Sequence, residues 1–406
     1  MPLEELSTLA TGRTAPLFAP DLERRTEDIR DHLAGKRVLV IGGAGSIGAA
    51  TIRAMATFQP RTAHVVDTDE NGLAELVRDL RSGRDTPLPA DFRLLPLDFG
   101  SSIMRRFLAE QAPYDYVLNF AAIKHVRSEK DLYCLLQMLA TNVLKPARLL
   151  RWLAERGGTT SYFCVSTDKA ANPTSLMGAS KRLMEHAAFS GEAATGFAAR
   201  VASARFANVA FSNGSLLQSF LQRLEKRQAL AAPIETRRYF ISLTEAGQIC
   251  LLAALCAPSR HLLVPRLDAA TDLHDLESVA VAVLRQHHLE PRRYRIEEEA
   301  RAAVDRDMAQ GCYPLLLTPL DTSGEKPFEE FIGSGERAME IGLPNLLAVP
   351  YLPAPAGAVS RFLERMERLL ADHAAPLRKE DLIAELSAVV PELQHRDRGK
   401  SLDDRM

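Results

Sequence analysis

Through the first half of the chain, short continuous apolar runs alternate with stretches whose apolar positions recur every three or four residues. The runs are "RVLVI" at 37–41, "TAHVVDTD" at 62–69, "FRLLPLDF" at 92–99, "YDYVLNFAA" at 114–122 and "SYFCVST" at 161–167. Unbroken apolar runs of this length predict strands buried on both faces. Between them, "ENGLAELVRDLRS" at 70–82 and "DLYCLLQMLATNVLKPARLLRWLAE" at 131–155 carry the helical spacing. A helix at "GASKRLMEHAAFS" (178–190) and a strand within "GFAARVASARFANV" (196–209) continue the pattern. Strands alternating with helices predict an α/β fold with a doubly wound parallel sheet.

Beyond Ala210 the alternation weakens. Helices are expected near 214–227 and 245–256, then mixed segments to about 332. A Pro-rich connector, "LPNLLAVPYLPAPAG", precedes two amphipathic helices around 359–371 and 379–388, and the tail "QHRDRGKSLDDRM" reads as frayed. Four units are therefore expected. They are a helical leader (1–34), a dinucleotide-binding domain with the reaction loop (35–210), a mainly substrate-binding, smaller and discontinuous domain (211–335), and a connector with C-terminal helices (336–406).

Composition adds exclusions. A net charge of −2 on 406 residues gives no electrostatic reason to expect nucleic acid or an anionic membrane as partner. The five cysteines (134, 164, 250, 256, 312) have no CxxC spacing and suit reduced thiols, and no cluster has metal-ligand spacing, so no metal is expected. The N-terminus lacks an apolar signal core, and no run approaches the roughly 18 apolar residues of a membrane helix, so a cytoplasmic protein is expected.

"VLVIGGAGSIG" follows the first strand and opens a helix, with Gly42, Gly43, Gly45 and Gly48 in both GxxGxxG and GxGxxG spacing. In that context the glycines let the backbone approach a pyrophosphate and the helix N-terminus supplies N–H donors, the Rossmann-type dinucleotide site. Gly42, Gly45, Ser46, Ile47 and Gly48 are its expected contacts. Asp67, 19 residues after Gly48, ends the second strand, where an acid binds ribose hydroxyls. Its charge would repel a 2′-phosphate and "TDEN" after it offers no arginine, which favours NAD over NADP. Asp98 ends the third strand as an adenine contact or a solvated acid.

The segment "STDKAANPTSLMGASK" (166–181) sets Thr167, Asp168 and Lys169 at the carboxyl edge of the sheet, with Lys181 beyond. Four residues before that lysine, where a short-chain dehydrogenase has its proton-moving tyrosine, stands Met177. With "GGAGSIG" (42–48), "AAIKHV" (121–126), "TN" (141–142), "STDKAANPTSLMGASKR" (166–182), "RFANVAFSNGS" (205–215) and "RRYFISLTEA" (237–246) in order, residues 35–335 resemble a known group. It is the polysaccharide-biosynthesis branch of the extended short-chain dehydrogenases, the UDP-N-acetylglucosamine 4,6-dehydratases. "DTSGEKPFEEF" (321–331) resembles a late segment of its soluble members.

The resemblance implies C4 oxidation by NAD, loss of water across C5 and C6, and hydride return to C6. The product is a 4-keto-6-deoxy sugar nucleotide, with or without C5 epimerisation. It implies Asp168 as acid at the C6 oxygen and Lys169 as base at C5, its pKa depressed by burial and by Lys181 and Lys124. Thr167 would hold the C4 hydroxyl, and Lys181 the nicotinamide ribose. Met177 marks the branch in which the Asp-Lys pair does the proton work; Lys181, Asp168 or a water could take the C4 hydroxyl proton. Ala121 and Ala122 fall on the cofactor side, and Lys124, His125, Asn208, Ser212 and Arg238 on the UDP-sugar side. Ala207 for glycine, Lys145-Pro146 for Gly-Thr and Arg127 for proline depart from the family pattern and suggest a divergent subgroup. The C-terminal helices suggest contacts in a homo-oligomer, a dimer or higher. The competing readings are a nucleotide-sugar 4-epimerase and a catalytically inactive NAD-binding regulator, for which Met177 is the main support.

Overall fold

The computed structural model describes residues 3–83, 87–125, 129, 131–320, 326–372 and 377–395. Val126 and Arg127 and the stretch 321–325, each part of a motif or departure above, lie outside the described residues, as does most of the tail. In chain order the strands are β1 (Arg37–Ile41), β2 (Thr62–Asp67), β3 (Asp91–Pro96), β4 (Tyr116–Asn119), β5 (Ser161–Val165), β6 (Arg200–Ala204), β7 (Asn208–Val209) and β8 (Leu230–Pro233). They continue with β9 (Arg237–Ile241), β10 (His261–Pro265), β11 (Leu273–Asp275), β12 (Glu290–Tyr294), β13 (Cys312–Thr318), β14 (Met339–Glu340) and β15 (Leu346–Pro350).

The main sheet runs β14-β15-β10-β6-β5-β4-β1-β2-β3. All pairings from β3 to β10 are parallel, and β15 and β14 add an antiparallel edge. This is the Rossmann-type doubly wound sheet. Its strand order reverses between β1 and β4, which opens a crevice beyond their carboxyl ends. The strand at 37–41 and the helix at 70–82 match the sequence expectation to the residue. β5 stops at Val165 rather than Thr167, because the Thr167 side chain caps a short turn over Asp168–Ala170 by accepting from Lys169 N.

The expected boundaries do not follow the sheets. The Pro-rich stretch contains β15, which pairs with β10 along His261–Pro265, with Pro350 at the strand's end and Pro344, Pro353 and Pro355 outside it. Helix Leu243–Cys256 and β10 lie past residue 210, yet both pack in the main sheet's layers. The smaller body is built from the sheets β11-β9-β7 and β12-β13-β8, and its core takes in Leu6 and Ala10 of the leader. These are pairings between distant segments, which local periodicity does not encode.

Two features place the reaction segment. The long helix after β4 carries a π-turn at Ala140–Leu144, just before Pro146, whose missing N–H interrupts the regular ladder. The turn holds Asn142, which accepts from Ile123 N (2.8 Å) and donates to Ile123 O (2.9 Å) and to Ser180 Oγ (2.9 Å). The loop after β4 is thereby fixed to helix Leu176–Phe189, which carries Met177 and Lys181. Every residue of that helix is buried. The sheet covers one side, and Phe362, Met366, Leu382, Leu386 and Val389 of helices Ala358–Ala371 and Lys379–Val389 join its core on the other. The apolar faces of the C-terminal addition are therefore used within the chain rather than presented outward for oligomer contacts.

Candidate active site

At the turn after β1, Gly42 has φ +74°, and a Cβ there would lie 2.5 Å from Ala121 N. A Cβ on Gly48 would lie 2.4 Å from Gly42 O, so the turn and helix can meet this closely only as glycines. Gly45 differs: a Cβ there would meet only Gly42 O, at 3.4 Å. Its missing side chain clears the crevice over the helix Ser46–Ala56, whose N-terminus has no side-chain cap. Open N–H groups above a cleared floor fit a pyrophosphate. Ser46 Oγ accepts from Asn213 N at 2.9 Å, joining this turn to the loop after β7.

On the β2 side of the crevice, Asp67 Oδ2 accepts from Ala44 N at 2.9 Å and Oδ1 from Asp69 N at 3.1 Å, beside Ala121 and Ala122. Asp98 is engaged: its Oδ2 pairs with Lys145 Nζ at 2.7 Å and its Oδ1 accepts from Gly100 N at 2.9 Å. Burial would raise the Asp98 pKa, but Lys145 and the Gly100 N–H outweigh it and hold the carboxyl below its ordinary value. Lys145, a departure from the family pattern, thus has a defined partner at the crevice edge.

A second cleft of about 350 Å³ opens on the other side of the turn. Thr167, Lys169, Met177 and Lys181 line its floor, and Ile47 and Ser46 its edge toward the glycine turn. Lys124, His125, Asn208 and Ser212 line its outer part, with Lys124 Nζ donating to Asn213 O at 2.6 Å. These residues come from the segments after β4 and β5, from β7 and the loop after it, and from two helices, and the fold brings them together as the sequence motifs suggest.

Two expected site residues lie elsewhere. Asp168 is 2% exposed and sits behind Lys169 and Thr167, outside the lining. Its Oδ1 accepts from Thr167 Oγ1 (2.8 Å), Lys169 N (2.9 Å) and Lys169 Nζ (3.0 Å). Arg238 also leaves the cleft: its Nη1 donates to the carbonyls of Arg237 (2.9 Å), Lys326 (3.0 Å) and Pro327 (3.1 Å), pinning a neighbouring segment.

The charge on the two lysines corrects a further expectation. Burial would lower the Lys169 pKa, but the Asp168 and Glu329 carboxyls outweigh burial and raise it, so the amine is held as ammonium. Lys181 is the depressed one. Its Nζ donates to Val165 O at 2.6 Å and has no carboxylate partner among the described residues, and burial brings its pKa down to about 8.

Two buried carboxyls escaped the sequence reading. Glu329 stands by Lys169, inside the "PFEEF" segment to which no role was attached. Its neighbours Lys326 and Glu330 are charged too, so the sequence does not single it out. Glu129 lies among charged neighbours, which gave no signal at all. Its Oε1 accepts from Met177 N at 2.9 Å at the start of the lysine-bearing helix. Burial pushes its pKa up to about 7 against the Met177 bond.

An acid whose folded pKa is raised destabilises the fold progressively as pH climbs from its unfolded value through its folded one. Glu129→Gln is therefore expected to raise the urea midpoint at pH 8. The gain corresponds to at most about 3 kcal/mol, and most of it disappears at pH 5. Equal midpoints of variant and wild type at pH 8 would contradict a strained Glu129.

Among the described residues no group of three His, Cys, Asp or Glu side chains could hold a metal, and no helix is long and apolar enough to cross a membrane.

Residues 38–303 match the family described as polysaccharide biosynthesis protein. Over 265 residues the chain is 30% identical to an uncharacterized membrane protein of Methanocaldococcus jannaschii, covering 64% of this chain and 74% of that protein. Over 376 residues it is 26% identical to the probable polysaccharide biosynthesis protein EpsC of Bacillus subtilis, covering 90% of this chain but only 57% of that one. It is 26% identical over 222 residues to a UDP-N-acetylglucosamine 4,6-dehydratase (inverting) of Campylobacter jejuni, 53% of this chain and 63% of that protein. It is also 26% identical over 254 residues to a UDP-glucose 4-epimerase of Rickettsia conorii, 58% of this chain and 67% of that protein.

Among solved structures, Pen from Bacillus thuringiensis superposes with a TM-score of 0.62 at 21% identity, over 79% of this chain and 87% of that one. DesIV, a dTDP-glucose 4,6-dehydratase from Streptomyces venezuelae, gives 0.55 at 16% identity, over 83% and 97%. Both support the fold. With more than half of its length matched, the chain belongs to the polysaccharide biosynthesis protein family, on the extended short-chain dehydrogenase branch.

Proposed function

We propose that the chain is an NAD-dependent nucleotide-sugar 4,6-dehydratase acting on a UDP-linked N-acetylhexosamine, UDP-N-acetylglucosamine first among them. The observation that carries this is the Asp168–Lys169 pair at the end of β5, with Lys169 in the cleft that borders the Gly45 opening. An epimerase has no use for such a pair, whereas elimination needs a base and an acid at neighbouring carbons.

When bound, NAD supplies the hydride acceptor for C4 and the hydride donor for C6. Gly42, Gly45, Ser46, Ile47 and Gly48 would hold its pyrophosphate and Asp67 its adenosine ribose, which disfavours NADP. Lys181 takes the C4 hydroxyl proton in place of the missing tyrosine, since it lines the cleft and is partly uncharged near neutrality. Asp168 is excluded from that step by its position behind Lys169. Thr167, which lines the cleft, steadies the C4 oxygen.

For Lys169 to act as base at C5 its extra proton must first leave. The 3.0 Å contact to Asp168 Oδ1 is the short path, and it converts ammonium and carboxylate into amine and carboxylic acid. Asp168 then passes that proton to Thr167 Oγ1, 2.8 Å away, as Thr167 gives its own to the departing C6 oxygen. Lys169, now ammonium and in exchange with solvent, returns a proton to C5 as C6 is reduced. Lys124, His125, Asn208 and Ser212 would face the diphosphate and uridine. Assembly as a homo-oligomer and a cytoplasmic location complete the proposal, and light scattering of the purified protein tests the first.

Incubation with UDP-N-acetylglucosamine and NAD in heavy water is the direct test. Loss of one water by mass, with a C4 ketone and deuterium at C5 by NMR, is the expected result. A second reading, a nucleotide-sugar 4-epimerase, is favoured by Lys181 as a cleft base; an epimer of unchanged mass would establish it. Asp168→Asn and Lys169→Met are each expected to lower kcat by about a hundredfold to a thousandfold with NAD affinity retained. Activity within threefold of wild type in either variant removes the pair from the mechanism.

A further inference from the structure

Behind the cleft floor, Glu329 is 5% exposed. Its Oε1 lies 3.8 Å from Lys169 Nζ and its Oε2 lies 3.9 Å from Lys326 Nζ. Both distances are too long for hydrogen bonds, and Oε2 has no hydrogen-bond partner among the described residues. The same is true of Asp168 Oδ2. Two buried carboxyls, each with an unused oxygen, therefore flank one amine that opens into the cleft.

Buried carboxyls in ordinary structural roles are hydrogen-bonded, because burial without bonds costs stability. An apolar side chain would serve packing better at this place in "PFEEF". Glu329 is thus poorly explained as a stabilising contact. Its geometry fits an electrostatic task directed at Lys169.

We propose that Glu329 is a positioning residue of the reaction site: its buried carboxyl sets, through space, the charge that the Lys169 amine presents to the cleft. Glu329 does not line the cleft and acts only through Lys169. The charged groups that face it are Lys169, Asp168, Arg238 and Lys326. Burial raises its pKa, Lys169, Arg238 and Lys326 oppose that, and Asp168 adds to it, with a net rise. While Glu329 is ionised, Lys169 keeps its proton against both carboxyls. Once Glu329 takes up a proton, only Asp168 holds the ammonium, and transfer from Lys169 to Asp168 meets less opposition. Filling of the cleft by a ligand removes water from Lys169 and favours the uncharged forms of all three groups.

The test is a titration of Lys169 itself in full-length wild type and Glu329→Gln. Lysines are dimethylated with ¹³C-formaldehyde, and the Lys169 resonance is identified by its absence in Lys169→Arg. The expected result is a Lys169 titration about one to three pH units lower in Glu329→Gln. KM for the nucleotide sugar should be unchanged, and the ascending limb of kcat against pH, which Lys181 sets, should stay in place. Titrations that coincide within about 0.3 unit would overturn the proposal, since a merely structural carboxyl leaves the amine where it was. If Glu329→Gln does not fold, Glu329→Asp replaces it, and the expected shift is smaller and in the same direction. The resonance is read without substrate. A shift with no dehydratase turnover in wild type would sustain the role of Glu329 and reject the proposed reaction, and turnover with no shift would do the reverse.

Discussion

Lys181→Met is expected to lower kcat by about ten-thousandfold, the upper end of what one positioned acid–base group supplies. The side chain has two tasks in the proposed reaction: holding the nicotinamide ribose and taking the C4 hydroxyl proton. Its burial, its bonds to the neutral acceptors Val165 O (2.6 Å) and Met184 Sδ (3.2 Å), and its pKa of about 8 suit the second task. As a base it works uncharged, so wild-type kcat should rise with unit slope as pH rises toward about 8 and level off above. Lys181→Arg separates the tasks. A guanidinium stays charged across this range, so NAD affinity should hold within a few-fold while turnover and the ascending limb are both lost. A Lys181→Arg enzyme that keeps the limb would assign the proton transfer elsewhere.

Arg205→Met is expected to cost about 3–5 kcal/mol of stability, the usual penalty for removing one partner of a buried ion pair. Arg205 is fully buried and donates to Glu185 Oε1 (2.7 Å) and Oε2 (2.6 Å) and to Glu336 Oε2 (2.6 Å) and Oε1 (2.9 Å). Without it, two carboxylates remain buried with only Arg182 between them, at 3.1 and 2.6 Å. A lower urea midpoint at pH 8 is the measurement.

The pH dependence follows from linkage. Burial would raise the Glu185 pKa, but Arg205 and Arg182 outweigh it and hold the group at about 2. In wild type its contribution is therefore present above the ordinary Glu range and is lost as pH falls toward about 2. In the variant both carboxyls protonate readily, so the deficit should shrink as pH falls from 8 to 5. A deficit independent of pH would mean that lost packing, not charge, explains the cost. The cluster also reaches the site, because Glu185 Oε1 accepts from Ser166 Oγ at 2.5 Å, one residue before Thr167. Reduced turnover in the surviving folded fraction is expected alongside the loss of stability.

The sequence was most informative where structure and chemistry are set by neighbours along the chain. The strand at 37–41, the glycine turn at 42–48 and the helix at 70–82 follow from apolar period and backbone freedom alone. The crowded Gly42 and Gly48 and the open Gly45 show why three glycines serve two purposes there. The "STDK" and "GASK" elements likewise placed Lys169 and Lys181 in one cleft, since strand ends and following helices keep a fixed relation in a doubly wound sheet.

Tertiary structure decided what depends on segments converging from distant parts of the chain. β15 looked like a connector because its partner strand lies at His261–Pro265, and pairing leaves no local period to read. The C-terminal helices looked available for a partner, but they cover the helix that carries Lys181. Lys169 is expected from sequence to be the depressed lysine, yet Asp168 and Glu329 hold it charged while Lys181, bonded only to the neutral Val165 O and Met184 Sδ, is depressed. Sequence by itself determined the fold class, the dinucleotide turn and the residue types at the reaction site. Only the folded chain decided which amine carries the proton, because a pKa is set by burial and by the charges that arrive within a few ångströms, whatever their place in the sequence.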